Sequence, residues 1–242
     1  MNELPEPLDV LVVAAHPDDA EVACGGTLAM LADAGHRVGV VDLTDGEPTP
    51  YSSGPQQRME EATQAGKILG LAMRVQLDLP NRRLMDGVDE RLALAKVFRT
   101  YRPRVVIGFG DKTPMASPDH YQAMQITDAA VFYSRLSKWE QQFDGLPVHP
   151  VQRQLYFRLA VDSTILPTNP FHTLIDISQT LERKLQAVAC YRSQFDHKTT
   201  ILERVRAAAV ATGSIAGVGA AESFAAARPF ATSDLFGALG LG

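Results

Sequence analysis

The chain has little cysteine: only Cys24 and Cys190 occur among its 242 residues. The two form no CxxC pair, so we expect free thiols and a reducing compartment. A folded chain of this length buries roughly 70% of the surface that its unfolded form exposes. It therefore needs no disulfide to hold a core.

Long hydrophobic runs are also lacking. The first apolar run, residues 9–15, is too short for a membrane span, and no cationic segment precedes it as in a signal peptide. We therefore expect a cytoplasmic protein with no membrane span.

Blocks of like charge are absent as well. The chain carries 23 basic and 28 acidic residues, a net charge of −5, and both kinds are scattered. Without a basic block, nucleic acid is not an expected partner. Without a run of acidic residues, no acidic tail is indicated either.

Short apolar runs alternate with helical patterns in the first half of the chain. Strands are predicted at residues 9–15, 37–44, 74–79 and 104–110, and helices at 21–34, 56–70, 88–101 and 119–139. The strands are mostly continuous apolar runs, as in strands buried on both faces. This alternation predicts an α/β fold: a Rossmann-like, mostly parallel sheet with helices on both faces.

The second half has weaker signals. We predict a strand at 152–160, a loop at 162–174 and helices at 177–195 and 200–211. No repeat or linker interrupts the sequence, so residues 1–242 are expected to form a single domain. The loop at 45–55, rich in Gly, Pro and Ser, is long for a compact domain, and such loops are often functional or mobile.

Polar residues cluster where three predicted strands end. His16, Asp18 and Asp19 follow the first strand, residues 44–47 follow the second, and Ser117, Asp119 and His120 follow the fourth. In open parallel sheets, ligands bind outside the carboxyl ends of the strands. We therefore expect these clusters to meet at one edge of the sheet.

A metal site is one interpretation of these residues. Catalytic zinc typically has three His, Asp or Glu ligands and a water molecule. His16, Asp19 and His120 would supply the ligands, which leaves Asp18 as a general base for the attacking water. The alternative is structural, because Asp is a preferred N-cap and acidic residues suit the first turn of a helix. Glu21 is assigned to that first helical turn.

Several motifs together resemble one known family. AHPDDAE followed by GGT resembles the zinc motif of the PIG-L/LmbE-like N-acetylglucosaminyl deacetylases, and SPDH at 117–120 resembles their second motif. Further similarity lies in RMEEATQAGKILG (58–70), KLQAVACYRSQ (184–194) and GVGAAESF (217–224), the last as in the branch that makes bacillithiol-type thiols. The resemblance spans nearly the whole chain.

The resemblance implies a zinc-dependent enzyme that hydrolyses the N-acetyl group of an N-acetylglucosamine conjugate, with another divalent metal as a possible substitute. Carried over by motif, it implies zinc on His16, Asp19 and His120, Asp18 as the general base and Arg58 in contact with the sugar-conjugate substrate. It also implies a homo-oligomer. A surface arginine is the alternative for residue 58, and the aglycone is left open.

One position departs from the family pattern. The second motif usually opens with a histidine that stabilises the oxyanion or protonates the leaving amine, and Asp119 matches the aspartate that orients it; here the position is Ser117. A hydroxyl donates one hydrogen bond but is no acid near neutral pH. Three interpretations follow: zinc alone polarises the carbonyl, His197 or Tyr191 replaces the histidine, or the protein is slow or has a different substrate.

Two further functions are alternatives to the hydrolase. The serine motivates a module that binds metal and sugar with weak or no deacetylase activity. A nucleotide-binding Rossmann protein is disfavoured, because HPDD stands where a GxGxxG motif would cradle a pyrophosphate.

Overall fold

A computed structural model describes residues 4–159, 172–229 and 231–233. Its strands are β1 (Val10–Ala14), β2 (Val38–Asp42), β3 (Met73–Gln76), β4 (Val105–Phe109), β5 (Arg153–Phe157), β6 (His172–Asp176) and β7 (Ala221–Ala226). Its helices are α1 (Asp19–Asp33), α2 (Pro55–Leu69), α3 (Val88–Tyr101), α4 (Asp119–Tyr133), α5 (Leu181–Ala189), α6 (Arg192–Phe195) and α7 (Ile201–Ala216).

The described strands form one sheet in the order β3-β2-β1-β4-β5-β7-β6. The first five strands in that order are parallel, and β7 pairs antiparallel with both β5 and β6. The predicted α/β fold with a mostly parallel sheet is confirmed. The chain winds outward from β1 in one direction and from β4 in the other, so the crevice at their carboxyl ends is the expected ligand site.

The core is built on the central strands. Every residue of β1 and β2 is buried, which explains why both read as unbroken apolar runs. Helix α1 packs on α2 and α5, whereas α3 packs on α4. These contacts divide the helices into two groups, as expected for a sheet with helices on both faces.

Local signals set the ends of the early helices. Helix α2 begins with Pro55, whose fixed φ suits the first turn, and ends at Gly70 with a φ of 76°. Helix α3 stops at Tyr101, two residues before Pro103, as predicted. These boundaries lie within a residue or two of those expected from the sequence.

The second half differs from the predictions in several elements. Helix α4 ends at Tyr133 rather than at 139, and the single helix predicted at 177–195 is two helices, α5 and α6. Residues 172–174, assigned to a loop, belong to β6, and β7 was not predicted. Both strands take their structure from antiparallel pairing rather than from local pattern. The remainder of that predicted loop, 162–171, lies outside the described residues.

Both cysteines are free thiols, with Cys24 buried in α1 and Cys190 partly exposed at the end of α5. Among the helices of the described residues, none combines the length and apolar character that crossing a bilayer requires.

Candidate active site

The predicted convergence of polar clusters occurs at the carboxyl ends of the strands. A pocket of about 370 Å³ lies there, a size typical of small-molecule sites. Its lining includes residues from the loops after β1, β2, β3 and β4 and from the first turns of α1 and α4: His16, Asp18, Asp19, Gly46, Asn81, Arg82, Ser117 and His120. Four strand ends, one more than predicted, therefore meet at this pocket.

Three of these side chains form a group that could hold a metal ion. One ligand atom from each of His16, Asp19 and His120 lies within 4.8 Å of the others. His16 Nδ1 lies 3.3 Å from Asp19 Oδ2, and His120 Nε2 lies 3.4 Å from Asp19 Oδ1. Atoms bound to tetrahedral zinc at about 2.0–2.1 Å are about 3.3–3.4 Å apart, so these spacings fit the ion.

The outer nitrogen of each histidine has its own partner. His16 Nε2 lies 3.2 Å from Asp119 Oδ2, and His120 Nδ1 lies 2.7 Å from Thr113 Oγ1. The ring of Phe109 stacks on His120 with centroids 4.6 Å apart. Outer hydrogen bonds of this kind fix the orientation of histidines that bind metals. They leave His16 Nδ1 and His120 Nε2 facing Asp19.

His16 and Asp19 shift each other's pKa. Burial alone would lower the pKa of His16, but its hydrogen bonds to Asp119 and Asp19 outweigh burial and raise the pKa to about 10. Burial alone would raise the pKa of Asp19. The charges and hydrogen bonds of His120 and His16 outweigh burial and lower that pKa far below its usual range. The opposite charges of His16 and Asp19 therefore stabilise each other.

Asp18 lies beside the group in an unusual conformation. Its φ of 122° and ψ of −27° are rare for a residue with a side chain, and such strain concentrates at functional sites. Burial raises the pKa of Asp18 to about 7, against the opposing charge of Arg58, whose Nη2 lies 3.7 Å from Asp18 Oδ2. A carboxylate with a pKa near neutrality suits general-base work.

Arg58 is a buried residue of the pocket, so the surface alternative for this arginine is wrong. Its Nη2 donates to the Pro17 carbonyl at 2.5 Å, and its Nη1 lies 3.6 Å from Glu61 Oε2. The loop after β2 closes over it at Gly46, where a Cβ would lie only 3.0 Å from Arg58 Nη2. A Cβ here would crowd Arg58, and the φ of 73° also favours glycine.

Ser117 lines the pocket, and its Oγ accepts a hydrogen bond from the Asp119 backbone N–H at 3.3 Å. Neither residue considered as a substitute for a histidine lines this pocket. Tyr191 is fully buried behind Arg58, and His197 is exposed and stacks on Tyr51 with centroids 4.1 Å apart.

Glu21 has a different role from the one predicted. It lies in the first turn of α1 but is fully buried, and its Oε1 pairs with Arg74 Nη1 at 2.5 Å. Arg74 also binds Asp42 at the end of β2, at 2.7 Å. Glu21 thus ties α1 to β2 and β3 rather than stabilising only its own helix.

Three residues of the site were missed at the level of sequence. Thr113 forms a hydrogen bond with His120. The backbone N–H of Arg82 donates to Asp119 Oδ2 at 2.6 Å. Asn81 lines the pocket, and its Nδ2 donates to the Glu47 carbonyl. All three lie in loops that follow strands. Their position after predicted strands was the signal available, because residue type alone does not distinguish them from other loop residues.

The fold and site define an α/β protein whose strand ends carry a His-Asp-His group beside a strained aspartate. The model of the PIG-L family, described as GlcNAc-PI de-N-acetylase, matches residues 11–131. The chain belongs to this family, as the resemblance implied.

Named relatives and a solved structure support this membership. The diacetylchitobiose deacetylase of Thermococcus kodakarensis is 29% identical over 77% of this chain and 70% of its own length. The 1D-myo-inositol 2-acetamido-2-deoxy-alpha-D-glucopyranoside deacetylase of Saccharomonospora viridis is 29% identical over 95% of this chain and 100% of its own. The conserved protein TT1542 of Thermus thermophilus has a TM-score of 0.81 and 34% identity, covering 94% of this chain and 98% of that one.

Proposed function

We propose that this protein is a zinc-dependent hydrolase that removes the N-acetyl group from an N-acetylglucosamine conjugate. The observation that carries the proposal is the meeting of His16 Nδ1, Asp19 and His120 Nε2 at spacings that fit zinc, with Asp18 alongside. Another divalent metal with similar ligand preferences would fit the same atoms.

The three ligands and their outer partners would hold the ion at the pocket floor. Bound zinc lowers the pKa of a coordinated water to about 7 and polarises a carbonyl oxygen. Asp119 and Thr113 keep the two histidine rings turned so that one nitrogen of each faces Asp19. The protein thereby presents a preformed ligand set rather than one assembled on binding.

Asp18 is the proposed proton carrier. As general base it accepts the proton of the water that attacks the acetyl carbon, and it then returns a proton to the nitrogen as the C–N bond breaks, giving acetate and a free amine. Its strained backbone and its raised pKa suit both steps. Arg58, 3.7 Å from Asp18, would hold this carboxylate in place and meet a substrate oxygen in the pocket.

Relatives support an amino-sugar substrate. The names of the two relatives described above place an N-acetylated glucosamine in their substrates, linked to inositol in one and to a second such sugar in the other. A bacillithiol-type precursor is a third conjugate of this class. The pocket volume of about 370 Å³ lies in the usual range for sites that bind small molecules.

The test is release of free amine and acetate from small N-acetylglucosamine glycosides by the zinc-loaded protein. We expect turnover that is lost on chelation and restored by zinc. An absence of turnover on α- and β-linked glycosides, in protein with a full complement of zinc, would overturn the proposal.

Ser117 favours a second candidate, a module that binds the metal and the sugar with weak hydrolysis. Among the described residues that line the pocket, the only histidines are His16 and His120, so no imidazole stands free of the ligand group to act as an acid. Removing one oxyanion donor typically costs about 10²–10³ in rate. A Ser117→His variant separates the two: a gain of that order indicates a weakened catalyst, and binding without turnover in both forms indicates a binder.

A further inference from the structure

The mouth of the pocket carries cationic side chains that the proposed chemistry does not use. Arg82, Lys198 and Arg204 line the pocket and are exposed, whereas the acidic residues of its described lining are Asp18 and Asp19 on the floor. The whole chain has a net charge of −5, so a cationic rim departs from the average surface. Clefts lined by one sign of charge attract ligands of the other.

The backbone under Arg82 is fixed to the candidate metal site. Its N–H donates to Asp119 Oδ2 at 2.6 Å, and its φ of 63° places it in the left-handed region. Its neighbour Asn81 is tied to the loop after β2 through the Glu47 carbonyl, at 2.7 Å. The guanidinium therefore extends from a constrained position at the pocket edge.

Lys198 approaches the same pocket from the other half of the chain. Its N–H donates to the Phe195 carbonyl at 2.8 Å, and its carbonyl accepts from Ile201 N–H at 2.9 Å. Its Nζ lies 5.3 Å from the centroid of the Phe195 ring. Within the described ranges, neither Lys198 nor Arg82 forms an ion pair with a carboxylate.

We propose that Arg82 and Lys198 recognise an anionic group, a carboxylate or a phosphate, on the aglycone of the substrate. The inference rests on the proposed function, because it assumes that the N-acetyl sugar occupies the floor of the same pocket. The aglycone then points to the mouth, where the two cations lie. A neutral aglycone leaves both cations without a ligand partner.

The experiment compares matched substrates that differ in one charge. Carboxymethyl and carbamoylmethyl glycosides of N-acetylglucosamine have nearly the same shape, and 2-phosphoethyl and 2-hydroxyethyl glycosides form the phosphate arm. We expect kcat/KM to favour the charged member by about 10-fold at low salt, the scale of two exposed ion pairs. The preference should shrink as salt is added. The pair of glycosides with the larger preference shows whether the site favours a carboxylate or a phosphate.

Variants test whether these two residues cause the preference. In the Arg82→Gln/Lys198→Gln double variant the charged-to-neutral ratio should fall to near one. The control is Arg153→Gln/Lys67→Gln, which removes two exposed cations at the opposite edge of the sheet, at the start of β5 and the end of α2. This control should keep the ratio of the parent protein.

Binding measurements separate failure of this inference from failure of the proposed function. Calorimetry with zinc-loaded Asp18→Asn protein measures the affinity for each intact glycoside without turnover. Preferential binding of the charged glycosides supports the anion site even if no glycoside is hydrolysed. Equal binding and equal kcat/KM for charged and neutral members would overturn it, and so would a preference that survives in the Arg82→Gln/Lys198→Gln variant.

Discussion

His16 Nε2 lies 3.2 Å from Asp119 Oδ2, a contact that joins the loop after β1 to the start of α4 across 103 positions of sequence. In the family pattern the matching aspartate orients the histidine that Ser117 replaces. Here Asp119 instead holds a member of the candidate metal group. Asp119 also accepts the Arg82 N–H, so one carboxylate organises three loops of the site.

Asp119→Ala should weaken zinc binding by about 10–100-fold, because the His16 ring loses the acceptor that fixes its orientation. Competition with a chromophoric chelator measures the affinity. Asp128→Ala, on an exposed position of the same helix, is the control and should bind zinc as the parent does. Equal affinity in the two variants would mean that Asp119 does not position His16.

Thr113→Val should lower zinc affinity by about 10-fold, since valine keeps the shape of threonine but cannot bond to His120 Nδ1. Thr113→Ser retains the hydroxyl and should recover most of the affinity. The same chelator competition applies. If Thr113→Val binds zinc as the parent does and Thr113→Ser binds it weakly, packing of the Thr113 methyl group, rather than its hydrogen bond, would be responsible.

Asp18 and Asp19 are adjacent but have different proposed roles, so their variants should separate. Asp18→Asn should retain zinc and lose deacetylation by about 10²–10⁴-fold, the usual contribution of a general base. Asp19→Ala should lose zinc, because it removes the anion between the two histidines. Metal content and turnover of each purified variant are the measurements. The reverse pattern would exchange the two assignments.

A second buried cluster stabilises the fold away from the pocket floor. Lys184 Nζ lies 2.5 Å from Glu222 Oε1, and Glu222 also accepts the N–H groups of Gly26 and Thr27 just beyond the kink in α1 at Cys24. This contact gives the GVGAAESF segment a structural role, tying β7 to α1 and α5.

Lys184→Met should lower the free energy of unfolding by about 3–5 kcal/mol, because it leaves the Glu222 carboxylate buried without a cation. Adding Glu222→Gln removes that charge. The double variant should therefore lose less free energy of unfolding than the sum of the losses in the two single variants. Arg192→Met breaks an exposed pair with Asp196 and should cost at most about 1 kcal/mol. Urea unfolding of the parent and the four variants measures these losses, and strictly additive losses would contradict a coupled pair.

The central strands could be predicted because their sequences carry a strong local signal. Strands β1, β2 and β4 are buried apolar runs bounded by polar or glycine-containing loops, and few other structures suit such runs. Strand β7, with the sequence AESFAA, contains mostly residues that are poor or neutral strand formers. It is a strand because β5 and β6 pair with it on both sides, which no local pattern reports.

In the candidate site, too, some features could be predicted from the sequence and others could not. The types and spacing of His16, Asp18, Asp19 and His120 were enough to predict which side chains would meet, because parallel strands bring their carboxyl ends to one edge. The hydrogen bond of Thr113 and the burial of Arg58 depend on how loops close over the sheet. Those distances come from packing between distant segments and could not be read from spacing.

The zinc content of the purified protein tests the central claim most directly. Plasma mass spectrometry after zinc loading and removal of free metal should find about one zinc per chain in the parent and in His36→Ala, an exposed histidine outside the pocket. His120→Ala should retain far less, because one of three protein ligands is gone. Equal zinc in His120→Ala and the parent, or none in either, would contradict the account.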